Sequence, residues 1–396
     1  MRIGINTLFL IPGEVGGTET YFRRILYHIA AQFPDTTLIL FTNRENDQLL
    51  RKDMSGFKQV EFWPLHFYAS NRFVRIIREQ TQLPLKVKKA RIDLLWSPGN
   101  TIPFFCPCPQ VTTIHDMQYK THPEDLSFLA FRATEILIYL AALRSKQILT
   151  ISEFSKKEII KYTQAHPDKI EAIHLAASEK FASMVSETSD VHPSKLPGET
   201  GNSFILTVAN TYPHKGIHTL VEAYGSIMSQ IDCDLVLVGR PRRGEKKVRE
   251  AINGLSNPDR LIRLSGLSHS GLVYLYRKAR MFVFPSLYEG FGLPILEAMM
   301  AGTPVLTTKM GSIPEIAKEY AVYADPLDSK KLAAKMIEIL NWGRHYRRRW
   351  VANASDHAKT FKWESAANKT MEVLWEAFEN YYRPEKCKYF KLDKIE

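Results

Sequence analysis

Short buried-type runs alternate with helical patterns twice along this chain, and that alternation restricts the fold more than any other feature. In the first half, Arg2–Asn6, Thr37–Thr42, Val60–Phe62, Leu94–Ser97, Val111–Ile114 and Gln147–Ile151 read as strands. Helical patterns lie between them, such as Tyr21, Phe22, Ile25, Leu26 and Ile29 on one face. Strand–helix alternation of this kind makes a parallel, doubly wound sheet. From about Ser178 to Asn202 the periodicity stops, and His192-Pro193-Ser194 and Leu196-Pro197-Gly198 give the composition of a linker. The alternation resumes at Phe204–Val208 and continues through Leu235–Val238, Leu261–Leu264, Met281–Phe284 and Val305–Thr307. At 396 residues the chain also exceeds what one hydrophobic core usually supports. The expectation is an α/β protein of two Rossmann-like domains, 1–190 and 200–365, with the ligand crevice between them at the carboxyl ends of the strands. Trp363 to Tyr382 reads as a closing amphipathic helix, with Ala366, Ala367, Met371, Leu374, Trp375 and Phe378 apolar.

Composition narrows the partners. The formal net charge of +11 suits nucleic acid, an anionic membrane face or a phosphorylated substrate. No zinc-finger spacing, RNA-recognition signature or heptad-backed basic region is visible, so no nucleic-acid partner is expected. Four cysteines without a pairing or metal spacing read as reduced thiols. Met1-Arg2-Ile3-Gly4-Ile5-Asn6 enters a strand directly, and no apolar run approaches the roughly 18 residues of a membrane helix, so a cytoplasmic protein is expected.

The chemistry concentrates in Tyr288-Glu289-Gly290-Phe291-Gly292-Leu293-Pro294-Ile295-Leu296-Glu297. A buried strand, Met281-Phe282-Val283-Phe284, precedes it; Pro294 suits a first helical turn and Gly302 a left-handed cap. Strand, glycine loop and helix N-terminus in that order present backbone N–H groups to an anion, usually a phosphate. Two carboxylates beside a diphosphate would be repelled by it, so Glu289 and Glu297 suit neutral hydroxyls instead. A ligand with central phosphates and hydroxyls at both ends is a nucleotide sugar.

On this pattern the chain resembles, over nearly its whole length, the retaining glycosyltransferases of family 4, built on the GT-B fold. The resemblance implies that Glu289 faces the donor sugar and Glu297 holds the ribose. It implies too that the amides of Gly290, Phe291, Gly292 and Leu293 bind sugar and diphosphate. It also implies a terminal tail, 366–396, that packs back on the N-terminal domain. The family loop after the first strand of the second domain usually carries an arginine and, five residues on, a lysine, both gripping the diphosphate. In Asn210-Thr211-Tyr212-Pro213-His214-Lys215-Gly216 the lysine is present as Lys215, but Asn210 stands at the arginine position. Arg240, Arg242 and Arg243 follow a strand at the same sheet edge, where they either compensate or form a solvated loop.

Asp232-Cys233-Asp234 precedes its strand rather than ending it, which places its acids at the wrong edge for a metal motif; we expect no metal and no cofactor besides the co-substrate. Gly311-Ser312-Ile313-Pro314-Glu315 opens another helix; Glu315 either lies beside the nucleotide or complements the helix dipole. Gly13-Glu14-Val15-Gly16-Gly17-Thr18 lacks the dinucleotide glycine spacing; Gly16 and Gly17 allow close backbone approach and Thr18 can cap the helix. The resemblance implies that this loop closes over donor and acceptor, and that His115, beside Asp116 at a strand's carboxyl end, borders the donor sugar. A structural His115–Asp116 pairing is the alternative. Asn71-Arg72-Phe73-Val74-Arg75-Ile76-Ile77-Arg78, with Lys86, Lys88, Lys89 and Arg91, is either a surface helix with one buried stripe or a contact for an anionic membrane. The implied reaction is retaining and metal-independent, moving a sugar from a UDP- or GDP-sugar to a saccharide or lipid-linked acceptor. A nucleotide-sugar epimerase and a non-catalytic binder of the same fold are the alternatives.

Overall fold

Parallel strands with apolar residues on both faces organise both halves of the chain, as expected where helices cover a sheet on two sides. The computed structural model describes residues 1–182, 197 and 203–383. One unit comprises Met1–Met117, Leu126–Leu175 and the chain from Trp363 on; the other comprises Gln118–Asp125 and Ala176–Lys362. The inclusion of Gln118–Asp125 in the second unit is invisible in the strand–helix alternation.

The first sheet contains β1 (Arg2–Asn6), β2 (Thr37–Thr42), β3 (Val60–Pro64), β4 (Leu94–Ser97), β5 (Gln110–Thr113), β6 (Gln147–Thr150) and β7 (Ile170–Ala172). Its order is β3-β2-β1-β4-β5-β6-β7, with Ile3 level with Leu38 on one side and Leu94 on the other. The chain therefore reverses its direction of winding between β1 and β4. The helix Arg72–Lys89 covers this sheet, its Leu83 and Val87 packing with Ile39 and Leu95.

The second sheet contains β8 (Phe204–Val208), β9 (Asp234–Val238), β10 (Leu261–Leu264), β11 (Met281–Phe284), β12 (Val305–Thr307) and β13 (Val322–Tyr323), in the order β10-β9-β8-β11-β12-β13. Here the reversal falls between β8 and β11, where Met281 is level with Ile205. Leu220 and Tyr224 of the helix Ile217–Ile227 pack with Leu235, Met281 and Met336. Such reversal points open a crevice at the carboxyl ends of the strands.

The anticipated strands are present with ends shifted by a residue or two, while β7 and β13, of three and two residues, are additions at the sheet edges. The closing helix spans Trp363–Tyr382, and Trp363, Ala366, Ala367, Met371 and Leu374 are buried where it returns to the helix Gly17–Gln32. Trp375 departs from the anticipated stripe, at 40% exposure. Most of the anticipated linker, 183–196 and 198–202, lies outside the described residues. Its first residues are not linker-like: Phe181 is fully buried with its ring 5.4 Å from that of Tyr276. Cys106, Cys108 and Cys233 are free thiols; Cys387 lies outside the described residues.

Candidate active site

The glutamate loop leaves β11 and enters the helix Leu293–Met300, with Gly292 at its N-cap in a left-handed conformation (φ 92°) and Pro294 in the first turn. Tyr288 and Phe291 are buried anchors, and Glu289 between them retains only 9% exposure. The backbone of Glu289 is gripped from the next crossover. Ser312 donates both its N–H and its hydroxyl to the Glu289 carbonyl, each at 3.1 Å. A Cβ at Gly311 would stand 2.5 Å from that same oxygen, and φ there is +62°, so only glycine fits.

The Lys215 loop leaves β8, the neighbour of β11 across the reversal, so both loops emerge at the crevice the topology creates. They are stitched together. Leu287 N–H donates to the His214 carbonyl at 2.7 Å, and a Cβ at Gly216 would meet the Pro285 carbonyl at 2.3 Å. The Ser286 hydroxyl lies 3.2 Å from the His214 carbonyl and 3.0 Å from that of Tyr288. This frame brings Lys215 Nζ to 2.5 Å from Glu289 Oε1 and 5.7 Å from the centre of the Phe284 ring. A charge-assisted bond between two mostly buried groups is among the stronger single contacts available.

Asn210 has a structural occupation that explains the departure at its position. Its side-chain oxygen accepts the Arg240 N–H at 2.8 Å, pinning the loop after β9. Arginine has no acceptor and could not do this. Thr211 continues the staple, accepting from Arg242 N–H at 2.8 Å and donating to Glu245 Oε2 at 2.9 Å. The forked bonds of Arg263 hold the Glu245 carboxyl down to about 2, aided by Arg249 and Thr211. Asp234 pairs with Arg260 at 3.2 Å, as suits a structural acid. Among the described residues no group of three or more His, Cys, Asp or Glu could hold a metal ion.

Glu297 lies in the middle of the helix Leu293–Met300 and accepts the Tyr276 hydroxyl at 3.0 Å. Burial pushes its carboxyl up to about 7, against the opposing hydrogen bond from Tyr276. The folded chain therefore binds this proton more tightly than the unfolded chain, and stability is lost as pH rises from about 4.5 to about 7. Glu297→Gln is accordingly expected to unfold at higher temperature than the native chain at pH 8, by an amount that disappears near pH 4.5. Thermal unfolding at both pH values checks it.

In the first unit, the helix Gly17–Gln32 begins at Gly16, whose φ of +57° requires glycine. The expected Thr18 cap is a misreading: Gly16 is the N-cap, no side chain caps it, and Thr18 sits inside the first turn. Glu19 reaches back instead, accepting the Gly13 N–H at 2.7 Å. A Cβ at Gly16 or Gly17 would meet nothing within 4 Å, so packing does not call for either glycine. His115 follows β5, buried against the edge of the Tyr21 ring at 4.9 Å. Its Nε2–H donates to the Pro98 carbonyl at 2.9 Å, and burial lowers its pKa to about 4, so the ring is neutral near pH 7.

Sequence reasoning passed over two groups. Glu79 is buried beside the first sheet's reversal, its Oε1 accepting from Asn6 at 2.7 Å and Thr101 at 2.9 Å, and burial raises its pKa. A carboxylate four residues before Leu83, in the same apolar stripe, was the available signal. His214 pairs with Asp125 at 2.9 Å, and only its place beside Lys215 could have pointed to it.

Two doubly wound parallel sheets, each reversing its winding once, are the architecture of the GT-B fold. The model described as "Glycosyl transferases group 1" matches residues 189–357 and that described as "Glycosyltransferase Family 4" matches residues 15–178. O-antigen chain mannosyltransferase B of Escherichia coli is 31% identical over 266 residues, 66% of this chain and 69% of that protein. The chain belongs to the group 1, family 4 glycosyltransferases. O-antigen chain mannosyltransferase RfbU of Salmonella typhimurium is 29% identical over 65% of this chain and 68% of its own. The serotype-specific mannosyltransferase WbdA of Escherichia coli is 28% identical over 69% of this chain, which spans only 34% of that protein. Among solved structures, Anabaena Alr3699/HepE in complex with UDP and glucose shares the fold, with a TM-score of 0.71 at 21% identity over 94% of this chain and 99% of that one. WaaG, a glycosyltransferase involved in lipopolysaccharide biosynthesis, does so with 0.68 at 16%, over 94% and 99%.

Proposed function

We propose that this glycosyltransferase builds a polysaccharide or glycolipid by moving a hexose, mannose foremost, from a UDP- or GDP-linked donor to a saccharide or lipid-linked acceptor, with retention and without a metal. The paired Lys215 and Glu289 at the reversal of the second sheet carry the reading. The mannosyltransferase names of relatives support the hexose. In it, Lys215 turns from Glu289 to the leaving diphosphate and stabilises the charge that grows there. Glu289 then accepts from the sugar hydroxyls, Glu297 from the ribose, and the Gly290–Leu293 amides hold sugar and phosphates. Asn210 and Arg240 shape the phosphate loop from below. His115 and Asp116 serve the transferred sugar and the acceptor, and the loop carrying Gly16, Gly17 and Thr18 folds over them. Asn210, which stands where the family usually has an arginine, serves the loop by accepting the Arg240 N–H. Incubation with a panel of UDP-, GDP- and ADP-sugars, with and without membrane lipid extract, tests the reading: acceptor-dependent release of nucleoside diphosphate supports it, and donor turnover that ignores acceptor supports an epimerase.

The reading includes an anionic membrane surface at the inner face. No helix among the described residues is long and apolar enough to cross a membrane. The helix Phe128–Arg144, however, keeps Phe128, Leu129, Ile136, Tyr139 and Leu143 exposed, and Phe73 and Leu85 of the helix Arg72–Lys89 are exposed too. Arg72 joins the two helices by donating to the Thr134 hydroxyl at 2.6 Å. Apolar side chains beside arginines and lysines suit a charged bilayer. The double variant Phe128→Ser, Leu129→Ser is expected to lose about thirtyfold in partitioning to phosphatidylglycerol vesicles in flotation, since each of the two buried apolar groups contributes on the order of 1 kcal/mol. Unchanged flotation would remove this surface from the account.

A further inference from the structure

The residues Gln118–Asp125 follow His115 and Asp116 in the chain yet fold into the second unit. Contacts from them reach the two loops that carry Lys215 and Glu289, and the loop after β9. His214, the residue before Lys215, is buried, and its Nδ1–H donates to Asp125 Oδ2 at 2.9 Å. The Gln118 amide donates to the same oxygen at 2.9 Å. Burial alone would raise the Asp125 carboxyl, but the bonds from His214 and Gln118 outweigh it and keep the group below its usual range, hence ionised. His122 lies with its ring 5.4 Å from that of His214 and edge-on, at 5.9 Å, to Tyr288, the residue before Glu289. Arg243 adds a bond to the Glu124 carbonyl at 2.9 Å.

We propose that Gln118–Asp125 is a positioning strap for the Lys215–Glu289 pair, with Asp125 acting through His214 on the lysine and His122 acting through Tyr288 on the glutamate. The contacts to His214 and Tyr288 each stop one residue short of a paired group, so the strap fixes where the ammonium and the carboxylate stand without itself touching the donor. The inference rests on reading Lys215 and Glu289 as donor-binding residues. His214 is then a positioning residue, and its loss moves Lys215 without removing it. Displacements of an ångström at a reacting centre are large in rate terms.

The test compares His214→Ala and His214→Asn, each in the native chain and in Lys215→Ala, by kcat, acceptor KM and thermal midpoint. His214→Ala is expected to lower kcat by about ten- to a hundredfold with acceptor KM unchanged, the range for a misplaced catalytic group. Asn places an amide N–H near the position of Nδ1, so His214→Asn should recover kcat to within about threefold of native. On top of Lys215→Ala, the His214→Ala change should cost less than about twofold, because residues that act through one another are non-additive. An unchanged kcat in His214→Ala, or an equal loss in both backgrounds, overturns the strap. His122→Ala reads the Tyr288 side by the same criteria if His214→Ala does not fold. A Lys215→Ala chain as active as native would overturn the donor-site reading itself; a Lys215-dependent enzyme indifferent to His214 overturns the strap alone.

Discussion

Lys215→Ala is expected to lower kcat by about a hundred- to a thousandfold with whichever donor the protein accepts, the range for removing one preorganised charge from a developing anion. The structure explains why so much rests on one ammonium. The position where family members usually offer an arginine is Asn210, whose side chain is committed to the Arg240 N–H. Lys215 is therefore the cation of this loop best placed for the leaving diphosphate. Its position is fixed by the turn at Gly216 against Pro285 and by the Leu287 bond to His214, none of which the substitution disturbs. Circular dichroism should show a native-like fold. The thermal midpoint should fall modestly, because Glu289 loses its partner at a site of 11% side-chain exposure, a loss of roughly 1–3 kcal/mol. A variant turning over at the native rate would remove Lys215 from the chemistry.

Glu289→Ala is the second large effect, and it differs in kind. Its loss removes the hydroxyl acceptor proposed for the donor sugar and also frees Lys215 from its ground-state partner. A fall in kcat of about a hundredfold is expected, on the scale of one transition-state hydrogen bond to a charged group. The double variant Lys215→Ala, Glu289→Ala should lose less than the product of the two single losses, because the groups touch at 2.5 Å. Steady-state rates for all four proteins give the coupling directly. A strictly multiplicative loss would mean that the pair seen here has no bearing on turnover.

What could be read in the sequence was what is local in the sequence. The strand Met281–Phe284, the left-handed Gly292, Pro294 and Gly302 are close neighbours, and their conformations follow from residue type: apolar side chains in the strand, a fixed φ at proline and no Cβ at the glycines. The closing helix was legible for the same reason. The sequence misled where two residues competed to start the same helix. Thr18 is a good cap by residue type, but the φ of +57° at Gly16 begins the helix earlier. It was silent where a role is defined by a distant partner. Asn210 acquires its meaning from Arg240, thirty residues on, and His214 from Asp125, eighty-nine residues back. The edge strands β7 and β13 are too short to imprint a period on the sequence.

The most direct test of the central claim is acceptor-dependent release of nucleoside diphosphate from UDP- and GDP-hexoses, measured side by side for the native chain and Lys215→Ala with membrane lipid extract as acceptor source. The paired lysine and glutamate predict release from the native chain with at least one donor, dependent on the extract, and about a hundredfold slower in the variant. Equal release from both proteins, or none from the native chain with any donor, would contradict it.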